Sequence, residues 1–336
     1  MKTKTIKHGA YTSLIRLYID YKHSQGYKMK SEEITLEKFN LLTAGQKGVA
    51  KDISRELFER WSAPLPNESS KNRYYRISVL RKFSSWLQIS GYDSYMPRLP
   101  KAKSTFAPHI YTKEELAALF QASDKLFQKN NNMDGQLCTL PSLLRILYGT
   151  GLRLGEALQL RNRDVCLDKE YLFIKASSSK NGRDRIVPLS GSAIEVCRDF
   201  FAYKERQMID CSGNNYFFTA LNGTKCAATT IYAHFRTALY KAGISHKGRG
   251  LGPRLHDLRH TFCVDALVKM SESGMDLYYS LPVLSTYVGH QSVQATDQYV
   301  RLTAAMYPDL IQKVSNAYSH IFPAFESDDI TLNESL

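Results

Sequence analysis

The chain has no uninterrupted apolar run long enough to cross a bilayer, and its start, Met-Lys-Thr-Lys-Thr-Ile-Lys-His, lacks the apolar core of a signal peptide. A cytoplasmic protein is expected, with no membrane partner. Cysteine offers no metal cage. Cys138, Cys166, Cys197, Cys211, Cys226 and Cys263 are scattered, with no Cys-x-x-Cys pair and no closely spaced histidines of the zinc type. Reduced, mostly buried thiols follow, and no metal site. Internal repeats and low-complexity tracts are absent as well.

What is present suits a globular chain: 336 residues with 43% apolar content can bury a large core, and length alone suggests two domains. The net charge of +13 is unevenly placed. Residues 1–105 hold 20 Lys and Arg against 9 Asp and Glu, whereas residues 106–336 hold 25 against 23. An excess of cations in one third suits a module that meets a polyanion, or equally a solvated basic face.

Residues 1–96 read as a helical domain. Leu14, Leu17, Tyr18 and Tyr21 recur at helical spacing, and Ser54 is a good N-cap for a helix carrying Leu57, Phe58 and Trp61. The longest helix is expected from about Asn67 to Ser90, with Tyr75, Val79, Leu80, Phe83 and Leu87 as its apolar stripe and Gly91 as its stop. Lys71, Arg73, Arg76, Arg81 and Lys82 would then lie on or beside its other faces, free to rest on a phosphate backbone or simply solvated. Residues 97–110 contain three prolines, which favour extended chain, and read as a linker whose Lys101 and Lys103 could track DNA.

A second domain is expected over residues 111–302. Thr112-Lys-Glu-Glu115 makes a capping box, Leu140 to Leu147 mark a buried helix broken at Gly149-Thr-Gly151, and Tyr171–Lys175 and Arg185–Leu189 read as strands joined by a polar turn. The fold class is therefore mainly α with a small antiparallel sheet in the C-terminal domain (α+β). Residues 303–322 suggest an amphipathic helix through Leu310, Ile311, Val314, Ala317, Tyr318 and Ile321, and residues 323–336 an acidic, disordered tail.

Several polar residues of this second domain share a chemistry. Arg153 stands at a glycine-flanked helix start with Glu156 three residues on, close enough to orient its guanidinium. His256 and Arg259 are an i, i+3 pair, Lys180 sits at the tip of the hairpin, and His290 precedes Tyr299 by nine residues. Each alone is an ordinary surface or core residue. Together they meet the needs of phosphodiester cleavage without a metal. Cations stabilise the charge that develops on the non-bridging oxygens. A phenol, ordinarily ~10 in pKa, needs that positive field or a base. The leaving oxygen needs an acid, for which Lys180 is best placed.

Gly151-Leu-Arg-Leu-Gly-Glu156, Lys180 within Lys-Asn-Gly-Arg-Asp-Arg-Ile-Val-Pro-Leu189, Leu255-His-Asp-Leu-Arg-His-Thr-Phe262, Val288-Gly-His290 and Tyr299 together resemble the tyrosine recombinase (phage integrase) family. The resemblance implies a site-specific recombinase for integration, excision or transposition of a mobile element. Tyr299 would form a 3′-phosphotyrosyl bond, Arg153 and Arg259 would clamp the phosphate, and His256 and His290 would handle protons and donate. Lys180 would protonate the 5′ oxygen and Glu156 would support. No cofactor, metal or ATP is implied. The partners would be double-stranded DNA with specific core sites, a homotetramer on that DNA built by residues 303–322 docking in trans, and accessory DNA-bending or directionality proteins. The two domains would form a C-shaped clamp, with no extra arm-binding domain. The alternatives are a type IB topoisomerase-like or telomere-resolving enzyme, and a catalytically silent DNA-binding protein of the same fold.

Overall fold

The computed structural model describes residues 9–44, 52–100, 107–128, 135–179, 182–246, 248, 252–290, 299–300, 302–303 and 307. The chain divides into two compact units, Met1–Phe106 and Ala107–Leu336. Among the described residues no helix is long and apolar enough to span a membrane.

The first unit is four helices: α1 (Thr12–Ser24), α2 (Lys30–Leu41), α3 (Arg55–Ser62) and α4 (Ser70–Ile89). Ser54 caps α3 by accepting the Leu57 N–H at 3.2 Å, and Ser69 caps α4 through Asn72 in the same way. Both caps answer backbone donors that have no partner within the helix. Tyr11, Tyr18, Phe39, Phe58, Trp61 and Phe83 form an aromatic core with Leu36, Leu80 and Leu87. Fully burying side chains of this size contributes roughly 1.5–3 kcal/mol each. The stripes differ in part from those read in the sequence: Leu17, Tyr21 and Tyr75 are exposed, and Ile77 fills the inward place on α4.

The second unit is helical around a small sheet. α5 (Lys113–Gln128) opens on the Thr112/Glu115 capping box, with Thr112 N–H donating to Glu115 Oε2 at 3.0 Å and Glu115 N–H to Thr112 Oγ1 at 3.2 Å. α6 (Leu140–Thr150) follows and ends at Gly151 in the left-handed region, then the short α7 (Leu154–Ala157). The antiparallel sheet runs β1 (Val165–Cys166), β2 (Tyr171–Ile174) and β3 (Arg185–Pro188), with Leu172 opposite Val187. Strand β1 is too short for the sequence to show any alternation. Helices α8 (Gly191–Arg206), α9 (Ala228–Lys241), α10 (Asp257–Glu272) and α11 (Leu277–Val288) complete the described elements. Leu140, Leu144, Leu172, Phe217, Leu239 and Leu258 lie in the main core. Cys263, Val264, Leu267, Leu284, Val288 and Tyr299 make a second cluster, which joins α10 and α11 to the end of the described chain.

Candidate active site

The site forms where the ends of α6 and α11 meet the start of α10. Gly151 closes α6 at φ +61°, and an added Cβ there would come within 2.5 Å of the Phe262 ring. Only glycine fits both demands. Its carbonyl accepts from Arg259 Nη1 at 2.7 Å, and Val288 O, at the end of α11, accepts from Arg259 Nη2 at 2.7 Å. Gly289 turns the chain after α11 at φ +67°, where an added Cβ would crowd the Arg185 guanidinium at 3.1 Å. Its carbonyl accepts from Arg153 Nη2 at 3.2 Å.

Both arginines are thus held by carbonyls at helix C-termini, the negative ends of the helix dipoles. Arg259 is 1% exposed, and among the described residues its guanidinium bonds two carbonyls and no carboxylate. Burial, then the charge of Arg153, lowers its pKa. It remains a cation nonetheless, because arginine deprotonates far above neutrality.

Glu156 carries the negative charge of the cluster. Its Oε1 bonds Arg153 Nη1 at 2.9 Å and its Oε2 accepts the Arg153 backbone N–H at 3.0 Å. Arg185 closes on the same carboxylate, Nη2 to Oε2 at 2.7 Å and Nη1 to Oε1 at 3.2 Å, while its Nε bonds Tyr287 O at 3.2 Å. Burial would raise the carboxyl's pKa, but the Arg185 and Arg153 contacts overcome it and hold it below the usual range. Arg185 escaped the sequence reading. Its signal was position: it shares a strand face with buried Val187, and an arginine facing inward needs a buried anion.

Three histidines and a tyrosine fill the remaining side. His256 stands at the start of α10, exposed on one side, with its ring edge-on to that of His260 at 4.9 Å. His260 Nδ1 lies 3.1 Å from Tyr299 Oη. The His290 ring is parallel to the Tyr299 ring at 5.9 Å. Tyr299 is 1% exposed. Packing atoms, then neighbouring positive charge, push His256, His260 and His290 down to about 4; for His290 the charges are chiefly those of Arg259 and Arg153. All three rings are therefore neutral at pH 7.

Five of the seven predicted core-site residues, Arg153, Glu156, Arg259, His290 and Tyr299, come together here, and His256 joins them through His260. Lys180 lies outside the described residues, although the hairpin that would carry it, β2–β3, is formed. Such a set of polar groups converging on one phenol is expected of an enzyme of phosphodiester chemistry. The phage integrase family matches residues 110–306, more than half of the chain and all of these positions. The chain belongs to the phage integrase family. With it, the chain is a tyrosine recombinase, of the class of site-specific DNA recombinases.

A Sinorhizobium fredii protein named integrase/recombinase y4rB is 28% identical over 85% of this chain and 91% of its own. Tyrosine recombinase XerC of Oceanobacillus iheyensis is 28% identical over 86% and 92%. Among solved structures, the Tn1549 transposon integrase in complex with a circular intermediate DNA superposes with a TM-score of 0.61 at 16% identity, covering 85% of this chain and 94% of that one. At that identity the likeness concerns the fold.

The basic residues of the first unit divide. Lys71 and Lys82 on α4 are exposed, and Arg73 and Arg81 are half-buried, with Arg73 Nε on Ser62 O at 2.9 Å. Arg76 corrects the sequence reading. It turns inward, where Glu68 closes on its Nε and Nη2 at 2.8 and 2.7 Å, Ala63 O also accepts from Nη2 at 3.0 Å, Trp61 O accepts from Nη1, and the Trp61 ring lies beneath it at 4.8 Å. Its fork is consumed by the fold and is not offered to a duplex. Lys101 and Lys103 lie outside the described residues.

Proposed function

We propose that the chain cuts and rejoins duplex DNA at specific core sites through a 3′-phosphotyrosyl bond to Tyr299, in the integration, excision or transposition of a mobile element. The observation that carries this reading is the buried Tyr299 set among neutral histidines beside Arg259, a cation with no carboxylate bonded to it among the described residues. Such a cluster wants an anion.

Arg153 and Arg259 hold the non-bridging oxygens of the scissile phosphate, and their carbonyl anchors fix the forks before DNA arrives. His256 and His290 donate beside them. Tyr299 passes its proton to the neutral His256 imidazole as its Oη attacks phosphorus, and the 5′ oxygen leaves, taking a proton from Lys180 on the hairpin. The phosphotyrosyl ester keeps the energy of the broken bond, so a 5′ hydroxyl can reverse the step without ATP or a metal. Glu156 keeps Arg153 in place. Lys71, Arg73, Arg81 and Lys82, with Lys101 and Lys103, track the DNA backbone without reading sequence. In the assembly residues 303–322 dock on a neighbouring protomer, giving four copies on two duplexes, with accessory proteins setting direction.

The test uses a duplex selected by binding from a randomised pool and nicked so that cleavage releases a short strand. The protein should become covalently attached to the 3′ end, and Tyr299→Phe should abolish the adduct while still binding. An adduct in the Phe variant would overturn the assignment.

A further inference from the structure

Helix α10 presents a stripe of which the reaction above uses only the first residue. His256, His260 and Cys263 follow one another at i, i+4 and i+7, so they share a face. Tyr299 packs against that face: its Oη is 3.1 Å from His260 Nδ1, its ring is 5.5 Å from the His260 ring, and it shares a buried cluster with Cys263. Both partners are buried.

The protonation states assign direction. His260 is held down to about 4 by burial and then by the charges of Arg254 and Arg259, so its neutral ring carries one N–H. Placing that hydrogen on Nε2, away from the phenol, leaves the Nδ1 lone pair aimed at Tyr299 Oη. Burial pushes the Cys263 thiol up to about 11, so it stays protonated beside the phenol. With the ring in that tautomer, the phenol hydroxyl donates to His260 Nδ1 across 3.1 Å. A ring this hard to protonate is a poor proton sink, so its role is geometric.

We infer that His260 is a positioning residue for the nucleophile, accepting the Tyr299 hydroxyl at Nδ1 and so fixing the direction of its attacking lone pair. This assignment rests on the reading of Tyr299 as nucleophile. It adds a residue that the sequence motif carried in plain view beside Arg259, and it separates the task of His260 from the donor roles of His256 and His290.

The test compares His260→Asn with His260→Leu, two side chains of like shape of which only Asn has an oxygen where Nδ1 stood. Both are run in the full-length protein on the selected, nicked duplex, with single-turnover cleavage, duplex affinity and thermal unfolding measured. Leu should cleave on the order of 10²-fold more slowly, the scale of a misdirected attacking group, whereas Asn stays within about tenfold of the parent. Duplex affinity should be unchanged in both.

A second substrate carries sulfur in place of the bridging 5′ oxygen, a leaving group that needs no proton. The deficit of the Leu variant should persist there, while a Lys180→Ala deficit should disappear. The inference is overturned if Leu cleaves at the parental rate, if Asn and Leu are equally slow while both bind and melt like the parent, or if sulfur rescues Leu. Should Leu fail to fold, Asn decides, since a slow but stable Asn variant also overturns it. An adduct that forms without Tyr299 sinks the underlying reading. An adduct that needs Tyr299 but not His260 sinks the present inference alone.

Discussion

Removing the Glu156 carboxylate tests how the cluster is held. The side chain is 1% exposed and accepts four bonds, from the Arg153 backbone and Nη1 and from both terminal nitrogens of Arg185. Summing charge-assisted bonds at about 1.5–3 kcal/mol each would overshoot, because forming them also took three charges out of water. The relevant quantity is the loss when one partner of a buried pair goes, about 3–5 kcal/mol. Arg153 and Arg185 keep 21% and 11% side-chain exposure, so some rehydration offsets the loss and the lower half of that range applies. For a unit of this size each kcal/mol moves the midpoint by roughly 2–4 °C, so Glu156→Ala should melt roughly 6–15 °C lower by calorimetry at pH 7. Glu156→Gln, which keeps one acceptor oxygen, should fall between. The pH sign follows from the depressed carboxyl: its contribution is present above the ordinary carboxylate value and is lost as pH falls through the lower folded value. An Ala variant melting within about 1 °C of the parent, well below the effect of even one kcal/mol, would refute the argument.

Two further outcomes follow from other parts of the chain. Lys82→Ala should reduce the slope of log affinity against log salt by about 0.9 for a fluorescent duplex, one phosphate contact's worth, while Arg76→Ala should leave that slope alone and destabilise the protein by about 3–5 kcal/mol; a changed slope in the Arg76 variant would restore it to the DNA surface. The buried, neutral His260 makes stability fall with acid: between its ordinary value near 6.5 and its folded value of about 4 the unfolded chain takes up a proton that the folded one refuses, so stability is complete above that window and declines through it, by about 3 kcal/mol for this ring. Urea unfolding from pH 7 to pH 4 should show a shallower decline in His260→Asn, and an unchanged decline would refute the assignment.

What the sequence disclosed was local in its physics. The Ser54 cap, the Thr112/Glu115 box, the hairpin strands and the stop at Gly151 each depend on residues within a few positions, and each forms as read. The Arg153/Glu156, His256/Arg259 and His290/Tyr299 segments, which the fold brings together, were legible because polar residues suited to one chemistry follow in order along the chain. Arg76 was misread for the opposite reason. Its helix stripe allowed it to face water, but Glu68 and Trp61, from other segments, supply an inward partner that no periodicity reveals. Arg185 and His260 were visible as letters within quoted motifs. Their roles depend on which carboxylate or phenol lies opposite, across 29 and 39 residues.

The arrangement of partners explains why the cluster suits an anion. Had Arg259 been paired with a carboxylate, an incoming phosphate would have to displace it, and the attraction available for binding would shrink to a difference between two anions. Carbonyls of Gly151 and Val288 hold the guanidinium's direction without cancelling its charge. Among the described residues Glu156 bonds Arg153 and Arg185 and leaves Arg259 to carbonyls alone, so the three guanidiniums outnumber the one carboxylate bonded to them and the cluster keeps an excess of positive charge. Burial first, and then that positive field, keeps the three histidines neutral. On the proposed reading, a phosphodiester arriving at this point would relieve the repulsion and make the imidazoles easier to protonate, so that binding and proton uptake would be two sides of one linkage.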